Sequence, residues 1–227
     1  MAQRKQSKGT CAYCGKELSK SGITKHLATC PQRQEAIANA EKKKGNSELL
    51  YHLRVQDAYR SEYWLDLEMR GSKTLQDLDN YLRSIWLECC GHMSQFSLGG
   101  GFVREVGMRR KISDVFQKSD ELTHIYDFGT SSETLVKRVD VREGKPTTTK
   151  AIALVARNNM PEYSCIECEK PATHLCMECL IEEHSEGTLC DNHTESHPHD
   201  NYGEPMELVN SPRMGMCGYD GPADPPY

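Results

Sequence analysis

Apolar and polar residues alternate along two short runs near the middle of the chain. Leu49, Tyr51, Leu53 and Val55 stand two apart, and Tyr63, Leu65, Leu67 and Met69 do the same against Trp64, Asp66 and Glu68. A period of two puts one set on one face of a strand, so the two runs and the turn near Asp57-Ala58 predict a hairpin with one buried face. The period then lengthens: Leu75, Leu78, Leu82, Ile85 and Trp86 recur at helical spacing. Thr74 stands where an N-cap belongs, Asp77 falls in the first turn, and Gly91 is placed to end the helix. Strand character returns over 92–98, and Gly99-Gly100-Gly101 forms a loop. Ile112, Val115 and Phe116 predict a short helix, and 122–128, 134–141 and 149–157 predict three more strands. Hairpin, helix and then strands make an α+β domain over 46–159, with a mostly antiparallel sheet packed on one main helix in a β-grasp-like arrangement.

The flanking segments follow a different logic. Cys11-Ala-Tyr-Cys14 is followed by eleven residues, His26, three residues and Cys30. A CxxC turn presents two thiolates together, and His26 and Cys30 one helical turn apart add two ligands, giving the tetrahedron that zinc prefers. Leu18 and Ile23 lie between the ligand pairs, where so small a unit needs its core. The segment resembles a CCHC-type ββα zinc finger, within a module spanning 1–45. In that resemblance the base-facing helix positions fall on Ser19, Gly22 and Lys25. Gly22 has no side chain to reach a base, so sequence-specific DNA reading is not expected. Lys16, Lys20, Lys25, Arg33 and Lys42-Lys43-Lys44 remain candidates for phosphate contact. Residues 32–44 can extend as a helix, and 42–47 form a linker.

Beyond Met160-Pro161, Cys165-x-x-Cys168, Cys176-x-x-Cys179 and Cys190-x-x-His193 are separated by seven and then ten residues, and His197 and His199 follow. Eight ligands suffice for two tetrahedral ions. The module, 160–227, resembles a B-box-type cross-brace. That resemblance implies one zinc on Cys165, Cys168, Cys190 and His193, and another on Cys176, Cys179, His197 and His199. Two alternatives stay open: His184 replacing a later histidine, since His197 and His199 are only two apart, or a single-ion ribbon on the first and third knuckles. Cys217 is a spare thiol, or a late ligand if the tail folds back. About three zinc ions are expected in all.

Charge divides along the same boundaries. Residues 1–45 carry ten Lys/Arg against three Asp/Glu, 46–159 carry sixteen of each, and 160–227 carry two against fourteen. Such blocks suggest modules with different partners. The acidic C-terminal module opposes phosphate binding and favours a protein partner, whereas the basic N-terminus is the alternative route to nucleic acid. Mean hydropathy is -0.68, no apolar run suits a membrane span, and the first ten residues lack the apolar core of a secretory signal. The expectation is a cytoplasmic protein whose eleven cysteines are reduced and serve mainly as ligands.

Four motifs of the central domain occur in a fixed order: Tyr-Trp-Leu-Asp-Leu-Glu at 63–68, Thr-Leu-Gln-Asp-Leu-Asp at 74–79, Trp-Leu-Glu-Cys-Cys-Gly-His-Met-Ser at 86–94 and Tyr-Asp-Phe-Gly at 126–129. Over 48–142 the chain resembles the plasmid Ri-type ORF-like family of bacteria and archaea, often carried on mobile elements. The resemblance implies an α+β fold and no particular activity. Family members commonly continue after the last motif with acidic residues, a Trp and a His; here Thr130-Ser131-Ser132-Glu133-Thr134 follows. His92, His124 and Asp127 are the residues suited to acid–base work, with His124 and Asp127 flanking a strand end. No GxSxG, phosphate loop or HExxH accompanies them, and such a pair is more often a structural hydrogen bond. Vicinal Cys89-Cys90 cannot easily chelate one ion alone and is read as a pair of buried thiols. The functional expectation is a non-enzymatic, zinc-binding interaction or adaptor protein, with no catalytic residue assigned.

Overall fold

The computed structural model describes residues 7–99 and 104–222. Gly100 and Gly101 of the glycine loop lie outside the described residues. The elements run β1 (Lys8–Cys11), β2 (Glu17–Ser19), α1 (Lys20–Thr29), α2 (Pro31–Glu41), β3 (Glu48–Asp57), β4 (Trp64–Arg70), α3 (Leu75–Leu82), β5 (Ser94–Ser97), β6 (Glu105–Val106), α4 (Ile112–Phe116), β7 (Glu121–Tyr126), β8 (Ser132–Gly144) and β9 (Ile152–Asn158). The C-terminal module adds β10 (His174–Leu175), α5 (Met177–Ile181), β11 (Thr188–Leu189), α6 (Asp191–Thr194) and β12 (Met206–Glu207). β1 to β9 form one nine-stranded sheet in the order β2-β1-β9-β4-β3-β8-β7-β5-β6, and β11-β10-β12 form a small second sheet. Every strand pairing is antiparallel among the described residues. The fold is α+β, with a large antiparallel sheet and few helices.

One face of the sheet carries the main helix. Leu53, Val55, Leu65 and Leu67 share a core with Leu75, Leu78, Leu82, Ile85 and Trp86, all fully enclosed. A fully buried side chain of this kind contributes about 1.5–3 kcal/mol, so this core does not need a metal to form. Thr74 and Asp77 close a reciprocal capping box: the Asp77 carboxylate accepts from Thr74 N at 2.8 Å, and Thr74 Oγ1 accepts from Asp77 N at 3.3 Å. The helix ends short of Gly91. Residues Arg83–Leu87 widen into a π turn, and Glu88 N–H donates to Arg83 O at 2.9 Å. The extra residue per turn keeps Ile85, Trp86 and Leu87 all in the core and throws the following Cys89-Cys90 outward.

The hairpin is buried on both faces, not on one. Trp64 and Asp66 are 0% exposed and Glu68 is 5% exposed. Their alternation with apolar residues reflects two different interiors. Trp64 packs with Ile23 and Leu27 of α1, and α1 and α2 are tied to this face by buried ions. Arg54 donates to both Asp66 oxygens, at 2.8 and 2.7 Å, and to Thr24 Oγ1 at 2.8 Å. Glu68 accepts from Arg33 at 3.0 Å and from Arg142 at 2.7 Å. Burial alone would raise both carboxyls, but His52 and Arg54 hold Asp66, and Arg142 and Arg33 hold Glu68, below the ordinary value.

Glu68→Gln leaves Arg33 and Arg142 without a counter-charge. Urea unfolding followed by tryptophan fluorescence is expected to show a loss of about 3–5 kcal/mol. Because the folded pKa of Glu68 is depressed, its contribution is present above the unfolded value and is lost as pH falls through the folded one. The deficit of the variant relative to the parent should therefore shrink below about pH 4.

Candidate metal centres

A tetrahedral ion with metal–sulfur bonds of about 2.3 Å and metal–nitrogen bonds of about 2.0–2.1 Å has edges of about 3.8 Å between sulfurs, 3.5 Å between sulfur and nitrogen, and 3.4 Å between nitrogens. A disulfide holds its sulfurs at about 2.05 Å. Among the described residues, four Cys/His groups are close to the first geometry, each with its four ligand atoms within 4.8 Å of one another, and all eleven cysteines are free thiols.

Site 1 gathers Cys11, Cys14, His26 and Cys30. The β1–β2 turn carries the knuckle and α1 carries His26, with Cys14 Sγ 3.2 Å from His26 Nε2 and Cys11 Sγ 4.0 Å from Cys30 Sγ. Ser19 caps α1 by accepting from Gly22 N at 3.2 Å. Leu18 and Ile23 do not make a self-contained core. Leu18 is only partly buried, and Ile23 and Leu27 pack on Trp64, Val155 and Ala156 of the central sheet. β1 pairs with β9, setting Gly9 opposite Asn158 and Cys11 opposite Ala156. Gly9 is required there, because a Cβ would stand 2.4 Å from the Trp64 ring and from Arg157 O.

Sites 2 and 3 interleave in the C-terminal module. Site 2 gathers Cys165, Cys168, Cys190 and His193, with Cys168 and Cys190 sulfurs 3.7 Å apart and His193 Nδ1 3.3 Å from Cys165 Sγ. Site 3 gathers Cys176, Cys179, His197 and His199, with Cys179 Sγ 3.2 Å from each histidine nitrogen and those nitrogens 3.2 Å apart. A spacing of two is accommodated because His197 offers Nε2 and His199 offers Nδ1. His184 is not part of the group; it is exposed at φ 52° on the turn after α5, and His174 faces Asp191. One buried cluster of this module is Leu189 with the cysteines themselves, and Leu175, Met214 and Tyr219 are its other buried apolar side chains, a small apolar interior for a unit so rich in ligands. Burial pushes the Cys165 thiol up, but the backbone N–H groups of Cys190 and Glu167 and the His193 ring outweigh it and bring the thiol to about 6. It is a ready anion at neutral pH. Burial holds Cys11 up at about 11 as a free thiol.

Site 4 joins Cys89, Cys90 and His92 to Cys217, more than a hundred residues away. Cys89 and Cys90 are not a buried pair: Cys90 is exposed and Cys89 is half-buried, because the chain leaves the core at the end of the π turn. The tail folds back and brings the Cys217 thiol to Cys90 and His92 of the central domain and not to sites 2 and 3. Arg213 was also unforeseen. Its guanidinium is fully buried, donating to Asp127 Oδ2 at 2.7 Å and to Thr130 O and Ser132 Oγ at 3.0 Å. Two signals in the sequence pointed this way. Three cysteines are left over once sites 1 to 3 are filled, and Arg213 is one of two basic residues in an acidic segment.

The acid–base candidates part company. His124 is 0% exposed and lies 2.7 Å from Asp79 Oδ1, not beside Asp127. An enclosed imidazole cannot reach a substrate. Asp127 instead faces Arg213 and His92. Two of the candidate phosphate contacts are likewise engaged: Arg33 is buried on Glu68, and Lys20 faces Gln56 and Ser61 O. Lys16, Lys25 and Lys42-Lys43-Lys44 stay exposed.

No family model matches this chain, and no curated protein matches it. A solved protein of unknown function from Methanosarcina mazei Go1 is similar over 48% of this chain and 67% of its own, at 18% identity and a TM-score of 0.40. No helix among the described residues is long and apolar enough to cross a membrane.

Cys14→Ser is expected to remove one equivalent of metal and to speed amide exchange in β1, in β2 and along Ala156–Asn158 of β9, which pairs with β1. Cys176→Ser should also remove one equivalent yet leave β9 protected. Mass spectrometry of metal content and of hydrogen exchange reads both; exchange confined to residues 8–19 in the first variant would mean that the finger opens independently of the sheet.

Proposed function

We propose that the chain is a zinc-dependent, non-enzymatic interaction or adaptor protein, with a central α+β body of the plasmid Ri-type ORF-like kind and zinc modules at either end. The observation that carries this reading is the completeness of sites 1 to 3. Each supplies four protein ligands, and an ion so enclosed keeps no position for water or substrate. The thiolate-rich donor sets favour zinc over harder ions, which take oxygen ligands. Reduced thiols throughout fit a cytoplasmic setting.

A protein partner is favoured over nucleic acid. The C-terminal module is acidic and displays Ile166, Ile181 and Tyr202, each more than 40% exposed. Apolar side chains on a module held by metal suit a protein surface. The basic N-terminus, with Lys20 and Arg33 drawn inward, offers a weaker and sequence-indifferent contact to phosphates.

Purification without added metal should yield at least three equivalents of zinc, and a strong chelator should melt the C-terminal module first while the central core persists. Fewer than two equivalents, with no change on chelation, would overturn the structural-zinc reading. Fluorescence anisotropy with unrelated duplexes should show binding that is weak and lost at physiological salt. Binding to one sequence that survives that salt would overturn the preference for a protein partner.

A further inference from the structure

Eight of the eleven thiols belong to sites 1 to 3, which leaves Cys89, Cys90 and Cys217. The fold brings these three together with His92. Cys90 Sγ lies 3.7 Å from Cys89 Sγ, 3.6 Å from Cys217 Sγ and 3.0 Å from His92 Nε2, and Cys217 Sγ lies 3.4 Å from His92 Nε2. These are the edges of a Cys3His tetrahedron. We propose that Cys89, Cys90, His92 and Cys217 bind a fourth soft divalent ion of the zinc class, and that this ion latches residues 211–219 onto the end of the central sheet.

The path of the chain supports a built site. Ser211 Oγ donates to Trp86 O at 2.7 Å, at the end of the main helix, and begins a run in which 211–215 are all buried. The chain then surfaces. Cys217 takes φ 52° between Gly215 at φ 78° and Gly218 at φ 67°. The left-handed region is unfavourable for a residue with a side chain, and an exposed cysteine gains no burial there. What the conformation achieves is to aim the thiol at Cys90 and His92. Vicinal cysteines alone cannot enclose an ion, but here two further ligands arrive from outside the pair.

The surroundings match the charge of such a centre. Three thiolates on a divalent ion leave one negative charge, and the buried Arg213 lies 3.4 Å from Cys89 Sγ. Asp127 stands 3.4 Å from His92 Nε2, but its carboxylate is committed to Arg213 at 2.7 Å. Tyr126 completes the wall, its hydroxyl 3.7 Å from Cys89 Sγ and its ring edge-on to His92. Unlike the ligands of sites 1 to 3, Cys90 and Cys217 are both exposed. The ion is therefore open to solvent and exchanges before the other three, and its loss frees the segment that covers Asp127.

Native mass spectrometry of the full chain, purified under reducing conditions, tests this. Four equivalents of metal are expected in the parent, falling to three under a mild chelator with faster amide exchange across 211–219. Cys217→Ser should hold three equivalents from the outset and show the same fast exchange. Cys90→Ser, which leaves the sequence of 211–219 untouched, should do likewise. Four equivalents retained in both variants would overturn the proposal. So would three equivalents in the parent, or a parent mass lacking two hydrogens with Cys90 and Cys217 joined as a disulfide. In these cases three firmly held ions would leave the reading of sites 1 to 3 standing, whereas a parent with fewer than two would remove both.

Discussion

Within each of the four Cys/His groups, neighbouring sulfur and nitrogen atoms approach to 3.0 to 4.0 Å and all four ligand atoms lie within 4.8 Å of one another. Thiolates at that separation repel, and neutral thiols gain little from it. A cation between them would turn the same geometry into a favourable one, and the surrounding backbone holds the ligand atoms close. Gly187 shows how closely. At φ 64° it lets Cys176 N–H donate to Gly187 O at 2.7 Å, and a Cβ there would stand 2.6 Å from Cys176 O. The knuckles, the short strands β10 and β11 and the one-turn helices α5 and α6 are what remains once the ligand positions are satisfied.

The two ends of the chain differ in how much apolar packing surrounds their Cys/His groups. The C-terminal module has a small apolar interior: Leu189 clustered with its own cysteines, and Leu175, Met214 and Tyr219. The N-terminal finger borrows Trp64, Val155 and Ala156 from the central sheet and extends that sheet through β1. The finger is thereby the edge of the main body as well as a candidate metal unit. Its helix is held down by Arg54 through Thr24, and the following helix by Arg33 on Glu68. These contacts draw basic side chains away from solvent, which diminishes the cationic surface that the charge count alone implies.

The end of the main helix is where the separate parts meet. The π turn releases Cys89 and Cys90 from the core, β7 delivers Tyr126 and Asp127 beside them, and the returning chain inserts Arg213 and Cys217. Ser211 fastens to Trp86 O, while Asn210 bonds Asn158 at the end of β9. A segment that follows the C-terminal zinc-ligand motifs in sequence thus returns to close the body formed by 46–159.

Sequence alone determined whatever depends on spacing. The period of two at 49–55 and 63–69, the helical stripe from Leu75 to Trp86, and CxxC pairs with His and Cys at fixed offsets carry their meaning locally, because pleat, helix turn and knuckle are local geometries. The candidate ligands and most elements of the central domain were legible for that reason, whereas how the C-terminal ligands divide between two groups came only as what the B-box resemblance implies. Only the tertiary structure decided what depends on who covers whom. Trp64, Asp66 and Glu68 sit on the polar side of an alternating strand, and nothing in that alternation tells that α1 and α2 bury them. His124 pairs with Asp79, 45 residues earlier, because β7 passes behind α3, whereas the sequence-adjacent Asp127 turns toward Arg213. Cys217 meets Cys90 across 127 residues, a loop closure that no spacing rule reaches, because it depends on long-range contacts and not on any local preference of the chain.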